Sequence, residues 1–318
     1  MRRIWAIILL AGFLMMGTYH SGAGSDEALK GTITMSGAWA LYPLAVKWAE
    51  EFRKVHPGVR MDISAGGAGK GMADALSGVV DIGKVSRDIY PEEIKRGAWY
   101  VAVAKDAVVP VMNSMNPAFQ DILEKGLTKK KAHAIWVTEE ISEWEEVSGP
   151  KVRGRINVYT RSDACGAAET WAEFMGVKQE DLSGVGVYGD PGLASAVSSD
   201  VYGIGFNNVN FAYDMRTGEQ VPGIRIIPLD VNNNGIIDPE EDFYKNRKEI
   251  IAAIAQGRYP SPPARELYFV CRGNPENKAV REFLRWVLTD GQEFALESGY
   301  VRLSPEAVRE GLAKLEIR

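Results

Sequence analysis

The sequence has few of the residues that most often carry metal-binding and nucleophilic chemistry. Its 318 residues include two cysteines and three histidines. His20, His56 and His133 do not have the spacing of a zinc site, and none of them lies near a cysteine in sequence. A hydrolase that uses Cys165 stays open as a hypothesis, because Arg161 and a helix start could lower the thiol pKa. No base for that thiol is visible, so we expect that the protein is not an enzyme.

The two cysteines could form at most one disulfide bond. An oxidising compartment would permit that bond. However, Cys271 ends the strand-like run Leu267–Val270, whereas Cys165 lies in a turn. We therefore expect two independent cysteines.

Positive charge is in deficit, with 37 Lys and Arg residues against 42 Asp and Glu residues, for a formal charge of −5. The charge falls to −7 without residues 1–23, because this segment carries two arginines and no acidic residue. An acidic protein is a poor candidate for nucleic-acid binding, so we expect no nucleic-acid partner. A local basic cleft for an anion is compatible with this charge.

The apolar run at the N-terminus, Ile4–Met16, is too short to span a bilayer. It follows Arg2 and Arg3 and precedes the small residues Ser21–Ala23, which is the pattern of a secretory signal peptide. The pattern predicts a signal peptide over residues 1–23 and a periplasmic or otherwise extracytoplasmic protein. An N-terminal membrane anchor is the alternative.

The remaining chain alternates strand-like and helical segments. Gly31–Met35 and Val59–Ile63 have strand patterns, and Leu41–Val55 carries apolar residues at helical spacing. This order predicts an α/β fold with mixed, mostly parallel sheets and helices on both faces. Ligands of such sheets bind beyond the carboxyl ends of the strands.

Two segments are typical of crossings between domains. Tyr100–Val111 is a long β-rich run, and Tyr259–Pro263 is a rigid linker. We therefore predict two lobes, with lobe I over residues 24–108 and 262–318 and lobe II over residues 109–261.

A candidate anion site lies at Arg161–Thr170, between the strand-like run Ile156–Tyr159 and a helix start. Such a turn presents unpaired N–H groups and the positive end of the helix dipole, and arginine donors suit oxyanions. Ser36–Ala40 and Ser64–Gly71 are similar turns, and we expect all three to converge on one oxyanion. The alternative is that Arg161 only pairs with Asp163.

Taken together, these segments resemble the phosphate-binding proteins of ABC importers, which have the type II periplasmic binding-protein fold. The similarity extends from about Gly31 to Leu303 and is carried by these pieces: Ser36–Leu44, Gly66–Gly71, Val80–Arg87, Arg161–Gly166, Gly257–Pro260 and Arg265–Tyr268.

The resemblance implies a two-lobed monomer that closes around phosphate or a related oxyanion and delivers it to a membrane ABC permease. The predicted ligand-binding set joins the family positions to Lys70, an added positive donor: Trp39, Ala40, Ala68, Lys70, Arg87, Arg161, Cys165, Gly166 and Ala167.

The chain departs from the family pattern at several of these positions. Ala38, Trp39, Ala68, Cys165 and Ala167 stand where the family usually has Ser or Thr. Each lost hydroxyl removes about 0.5–1.5 kcal/mol of binding, and more where the anion is charged and buried. The alternative is therefore a structural or interaction protein that keeps this fold and has lost phosphate binding.

A second candidate site is the twelve-residue segment Asp230–Glu241. It fits the calcium-loop pattern D-x-[DN]-x-[DN]-G-x5-E at each defined position, with Gly235 at the sharp turn. A polar Asn-Gly surface turn is the alternative. The pattern predicts a structural calcium ion with these ligands: Asp230, Asn232, Asn234, the Ile236 carbonyl, Asp238 and Glu241.

Overall fold

The computed structural model describes residues 28–317. The predicted signal peptide over residues 1–23 lies outside the described residues. The described strands are β1 Gly31–Gly37, β2 Val59–Ile63, β3 Ile82–Val85, β4 Ala98–Asn113, β5 Asn157–Arg161, β6 Val185–Val187, β7 Gly203–Asn208, β8 Ile224–Ile226 and β9 Ala264–Arg272.

A short 3-10 turn, Trp39–Leu41, precedes the first α-helix. The described α-helices are α1 Tyr42–Val55, α2 Gly67–Ser77, α3 Pro91–Lys95, α4 Phe119–Lys125, α5 Lys129–Trp136, α6 Trp144–Ser148, α7 Gly166–Met175, α8 Gly189–Ser199, α9 Val209–Ala212, α10 Arg247–Ala255, α11 Lys278–Leu288, α12 Gln292–Glu297 and α13 Pro305–Glu316.

The strands lie in the order β2-β1-β3-β9-β4-β7-β5-β6, and β8 pairs with β4. Pairing is parallel at both ends, where β1 lies between β2 and β3 and β5 lies between β6 and β7. In the middle, β4 and β9 run antiparallel to each other and to their other neighbours. The predicted α/β class with mixed sheets is confirmed.

Buried apolar residues form two main clusters, one on each side of the β4–β9 pair. One is built around Trp48 and Phe283, and the other around Trp136 and Trp171, whose rings meet edge to face at 5.3 Å. We call the first region lobe I and the second lobe II. The predicted lobe boundaries at 108/109 and 261/262 fall within β4 and just before β9.

Three predicted elements have different bounds in the structure. Helix α2 begins at Gly67, inside the segment expected to be a turn. Strand β3 begins at Ile82 instead of Val79, because Gly78 ends α2 in a left-handed conformation and leaves residues 79–81 in a turn. Strand β8 ends at Ile226, shortly before Pro228, which has no N–H group to donate.

Candidate functional site

The three glycine-rich turns meet between the lobes. The N–H of Gly66 donates to the carbonyl of Gly37 at 3.0 Å, which joins the turns after β1 and β2. The N–H of Gly69 donates to the carbonyl of Ala164 at 3.1 Å, which joins lobe I to the turn after β5. The three turns are therefore in contact with one another, and their convergence on one oxyanion stays a prediction.

Gly166 packs directly against the backbone of lobe I. A Cβ at this position would overlap the carbonyl oxygen of Ser86, so only glycine allows α7 to start against the end of β3. Ser86 is buried and borders the site, although it was absent from the predicted set. Its place directly before Arg87, at the end of a strand, is a sequence signal that could have identified it.

Helix starts supply the neutral donors of this region. Ala68 lies in the first turn of α2, and Gly166 and Ala167 lie in the first turn of α7, where N–H groups have no partner within the helix. All three residues are buried. Backbone N–H groups are thus available in this region, where Ala68, Gly166 and Ala167 carry no polar side chain.

Cys165 caps helix α7. Its Sγ accepts a hydrogen bond from the N–H of Ala168 at 3.4 Å. Burial raises the pKa of the Cys165 thiol to about 12, even though Arg161 opposes this shift. The thiol is therefore neutral at pH 7, which argues against a nucleophilic role. Both Cys165 and Cys271 are free and buried, as expected for independent cysteines.

Arg161 is fully buried and bound by two carboxylates. Its Nε and Nη2 donate to the two oxygens of Asp163 at 2.8 and 2.7 Å, and its Nη1 donates to Asp190 at 2.7 Å. Burial opposes the charge, but Asp190 and then Asp163 hold the pKa of Arg161 above its ordinary value. The ion pair considered as the alternative to ligand binding is therefore present. Because a guanidinium has five N–H donors, two remain for an anion, and the ligand role stays a prediction.

The other two predicted cationic ligands also have carboxylate partners. Arg87 makes a two-fold contact with Glu93, at 3.0 and 2.6 Å, and packs on the ring of Tyr90. Lys70 is half-exposed on α2 and pairs with Asp74. These neighbouring carboxylates therefore compensate both positive charges when no ligand is bound.

A buried polar network connects β4 and β9, the two strands that cross between the lobes, to the turn after β5. Arg265 on β9 donates to the carbonyl of Gly166 at 2.9 Å and to the side chain of Asn208. Asn208 in turn donates to Asp190 at 2.7 Å. Asp106 on β4 lies 3.2 Å from the Nε of Arg265, and burial raises the pKa of Asp106 to about 7 against the opposing charge of Arg265.

Trp39 lies between the two lobes. Its ring packs against Tyr42 of lobe I and against Tyr188 and Phe211 of lobe II, with centroids 6.2–6.4 Å apart. Its indole nitrogen is buried and has no hydrogen-bond partner within residues 28–317. The next residue, Ala40, is fixed through its carbonyl by the hydroxyl of Tyr300 at 2.6 Å.

Two cavities are relevant to the position of the site. A cleft of about 710 Å³ borders the converging turns and is lined by Arg87, Arg161, Cys165 and Gln179 among others. A cavity of about 1,020 Å³ lies away from the turns, between Lys105 and Ile251, and is mostly apolar. The candidate site, where the turns converge, therefore lies beside the smaller cleft.

The predicted calcium loop forms a compact turn between β8 and α10. The carboxylate of Asp230 accepts from the N–H groups of Asn234 and Gly235, at 3.2 and 2.9 Å. The side-chain amides of Asn232 and Asn234 both donate to the carboxylate of Asp238, at 2.7 and 2.8 Å. Glu241 accepts from the N–H of Val231 at 2.8 Å.

No group of three or more His, Cys, Asp or Glu side chains within residues 28–317 is arranged to hold a metal ion. The predicted loop depends instead on two asparagine oxygens and on the Ile236 carbonyl as well as carboxylates. The calcium assignment therefore stays a prediction.

No helix within residues 28–317 has both the length and the apolar character needed to cross a membrane.

Comparisons with known proteins point to one family. The profile of the PBP superfamily domain matches residues 22–291. The phosphate-binding protein PstS of Methanocaldococcus jannaschii is 25% identical over 358 aligned residues, which cover 96% of this chain and 91% of that protein.

Two solved structures share the fold. A Clostridium perfringens substrate-binding protein assigned to phosphate ABC transport, solved with bound phosphate, matches with a TM-score of 0.69 at 21% identity, covering 86% of this chain and 100% of that chain. An ABC-type phosphate transport receptor of Vibrio cholerae matches with a TM-score of 0.62 at 19% identity, covering 85% of this chain and 100% of that chain. The predicted two-lobed type II periplasmic binding-protein fold is confirmed.

Proposed function

The chain belongs to the family of the PBP superfamily domain, and from this we propose that it is an exported solute-binding protein that captures phosphate or a related oxyanion for an ABC importer. One observation carries the proposal: three glycine-rich turns meet at the lobe interface and bring the starts of α2 and α7 together. Two helix starts facing one point create a site for a small anion. The names of the relatives support phosphate as its identity.

The ligand would be bound mainly by backbone N–H groups. Ala68, Gly166 and Ala167 contribute N–H groups from helix starts, and Ala40 contributes one from the turn after β1. Arg161 adds its two remaining donors, and its paired carboxylates fix the guanidinium in one orientation. This arrangement compensates for the absent hydroxyls through geometry that is already in place before binding.

The two crossing strands provide the hinge for capture. β4 and β9 pair along Ala98–Ala107 and Ala264–Arg272, and both continue between the lobes. Rotation about this pair would separate the turn after β5 from the turns of lobe I and open the site. Closure around the ligand is the hinge motion of two-domain binding proteins.

The proposal places the mature protein outside the cytoplasm, in the periplasm or an equivalent compartment, after export by residues 1–23 as a signal peptide. It acts as a monomer that delivers its ligand to a membrane ABC permease. In this role it is not an enzyme and needs no nucleic-acid partner. The family match and the relatives named for phosphate binding and transport support this role.

A second candidate function is that of an interaction protein that keeps the fold without binding an anion. The observation that favours it is the pairing of Arg161, Arg87 and Lys70 with carboxylates. Titration calorimetry of phosphate into the protein without residues 1–23 separates the two candidates. We expect micromolar or tighter binding for a solute-binding protein.

A pair of variants controls for general effects of arginine substitution. Arg161→Lys keeps one positive charge for Asp163 and Asp190 but removes the fork of donors, so we expect phosphate affinity to fall by at least about tenfold. Arg60→Lys alters an exposed arginine on β2, and its affinity should equal that of the wild type. No heat with phosphate, sulfate, molybdate, tungstate or arsenate would favour the interaction protein.

We also propose that Asp230–Glu241 binds a structural calcium ion through the predicted ligands. The motif and the convergence of Asn232, Asn234 and Asp238 support this assignment. The ion would stiffen a loop that contacts the end of α4, where the N–H of Ile237 donates to the backbone carbonyl of Glu124 at 2.8 Å.

Calcium addition after chelation should raise Tm, and magnesium at equal concentration should raise it less. Glu241→Gln should remove most of the calcium effect, whereas Glu240→Gln, which changes the neighbouring residue outside the ligand pattern, should not. Equal Tm values with and without calcium would contradict the assignment.

A further inference from the structure

Lys84 is a fully buried lysine without a partner. It lies in β3, its relative exposure is 0%, and its Nζ makes no hydrogen bond or ion pair within residues 28–317. Burying an ammonium group without a compensating acceptor is costly, so native proteins rarely leave one in this state. Either the group is neutral in the free protein, or its partner arrives with a ligand.

The strand geometry shows which way Lys84 points. Gly83 faces α2, because a Cβ there would overlap the carbonyl of Gly71. Successive strand residues face opposite sides, so Lys84 faces the side covered by α1. Its Nζ lies 4.8 Å from the ring centre of Tyr42, the first residue of α1.

The start of α1 is an unfavourable place for an unpaired ammonium group. The fourteen-residue helix directs the positive end of its dipole towards this point, and the dipole and the ammonium repel each other. The cation–π contact with the Tyr42 ring offsets only part of the free-energy cost of burying the ammonium group. An anion at this position would give Lys84 a partner and would interact favourably with the helix dipole.

A second unpartnered donor lies against the same ring. The indole of Trp39 packs on Tyr42 at 6.2 Å between centroids, and its buried N–H also lacks a partner among the described residues. Trp39 belongs to the turn that meets the other two at the candidate site. Its N–H edge lies close to Gly189, at the start of α8 in lobe II. The Trp39 ring and the Lys84 ammonium group therefore both pack on Tyr42, the first residue of α1.

We propose that the Lys84 ammonium group is a direct donor to the bound oxyanion, with the Trp39 indole N–H as a second donor. This inference rests on the proposed function. It assigns to Lys84 a charged hydrogen-bond donor in a site where Ala38 and Ala68 offer no side-chain donor. The ligand class it fits is a small tetrahedral oxyanion with several acceptor oxygens.

Burial lowers the pKa of Lys84 to about 7, which is consistent with a group that is readily neutral without a ligand. An arriving anion would favour the charged form. Lys84 would then take up a proton as the ligand binds.

The test compares phosphate affinity in three variants. Lys84→Met keeps the length of the side chain and removes the charge, and its Kd should rise at least about tenfold because a charge-assisted hydrogen bond is lost. Trp39→Phe keeps an aromatic ring and removes the N–H, and its Kd should rise less. Lys54→Met removes an exposed lysine of α1 and should leave the Kd unchanged.

Nuclear magnetic resonance of the wild type provides a second measurement, in which a variant is needed only to assign one signal. With lysine labelled by ¹³C at Cε, the Lys84 signal, assigned by its loss in Lys84→Met or Lys84→Gln, should shift as phosphate saturates the protein. Two results would overturn this inference and leave the proposed function intact. In the first, the wild type and Lys84→Met bind phosphate equally well. In the second, the wild type binds phosphate but the Lys84 signal does not shift. A folded wild type that binds none of the oxyanions overturns both.

Discussion

Two fully buried cations, one in each lobe, have opposite environments. In lobe II, Arg161 has two carboxylates within 2.7–2.8 Å. In lobe I, Lys84 is equally buried and has none. The comparison indicates a division of roles, in which Arg161 is held rigid before binding and Lys84 gains its partner from the ligand.

The largest expected effect comes from removing the cation that has partners. Arg161→Met would leave Asp163 and Asp190 uncompensated in the interior, which should lower the free energy of unfolding by about 3–5 kcal/mol. Urea denaturation measures this change. Arg60→Met, at an exposed ion pair, should change stability by less than about 1 kcal/mol. Equal losses in the two variants would contradict the structural role of Arg161.

Removing Lys84, the cation without partners, should stabilise the protein instead of destabilising it. Lys84→Met should raise the free energy of unfolding of the ligand-free protein, because it removes a charge that is costly to bury. The Tyr42 ring faces the Nζ, and no charged side chain among the described residues contacts it.

The stabilisation by Lys84→Met should depend on pH. Because the folded pKa of about 7 lies below the ordinary value of 10.5, wild-type stability should rise with pH between these values, by at most about 1.4 kcal/mol per unit. The advantage of methionine should therefore be largest below pH 7 and shrink towards pH 10.5. Urea denaturation at about pH 6 and pH 9 tests this window, with Lys54→Met as the control. A pH-independent difference would contradict a depressed Lys84 pKa.

The sequence was informative where function depends on local chemistry. The turns could be located because Gly66, Gly166 and their neighbours lie between strand and helix patterns. The helix start at Cys165 could be placed for the same reason. Local order also predicts the two crossings between the lobes, at Tyr100–Val111 and Tyr259–Pro263.

What the sequence could not provide was the pairing of distant groups. Arg161 and Asp190 are 29 residues apart, and Arg265 and Gly166 are 99 apart. The burial of Lys84 depends on the glycine contacts that direct β3 against α2. Charged residues in a sequence look alike, and only tertiary packing shows which of them have partners.

The smallest expected effect sharpens the comparison at the start of α7. Cys165→Ser should stabilise the protein by up to about 1 kcal/mol, since serine is a favoured N-cap residue, and its added hydroxyl should tighten phosphate binding. Thermal unfolding and calorimetry measure the two effects. Cys271→Ser places a hydroxyl in the apolar cluster of lobe I and should destabilise instead. A loss of phosphate affinity in Cys165→Ser would contradict a ligand position at Cys165.

A crystal structure of the protein grown with phosphate tests the site most directly. The expected result is one phosphate between the three turns, within hydrogen-bond distance of the N–H groups of Gly166 and Ala167 and of the Nζ of Lys84. Phosphate bound elsewhere on the molecule, with these N–H groups still unpartnered, would contradict the proposed site.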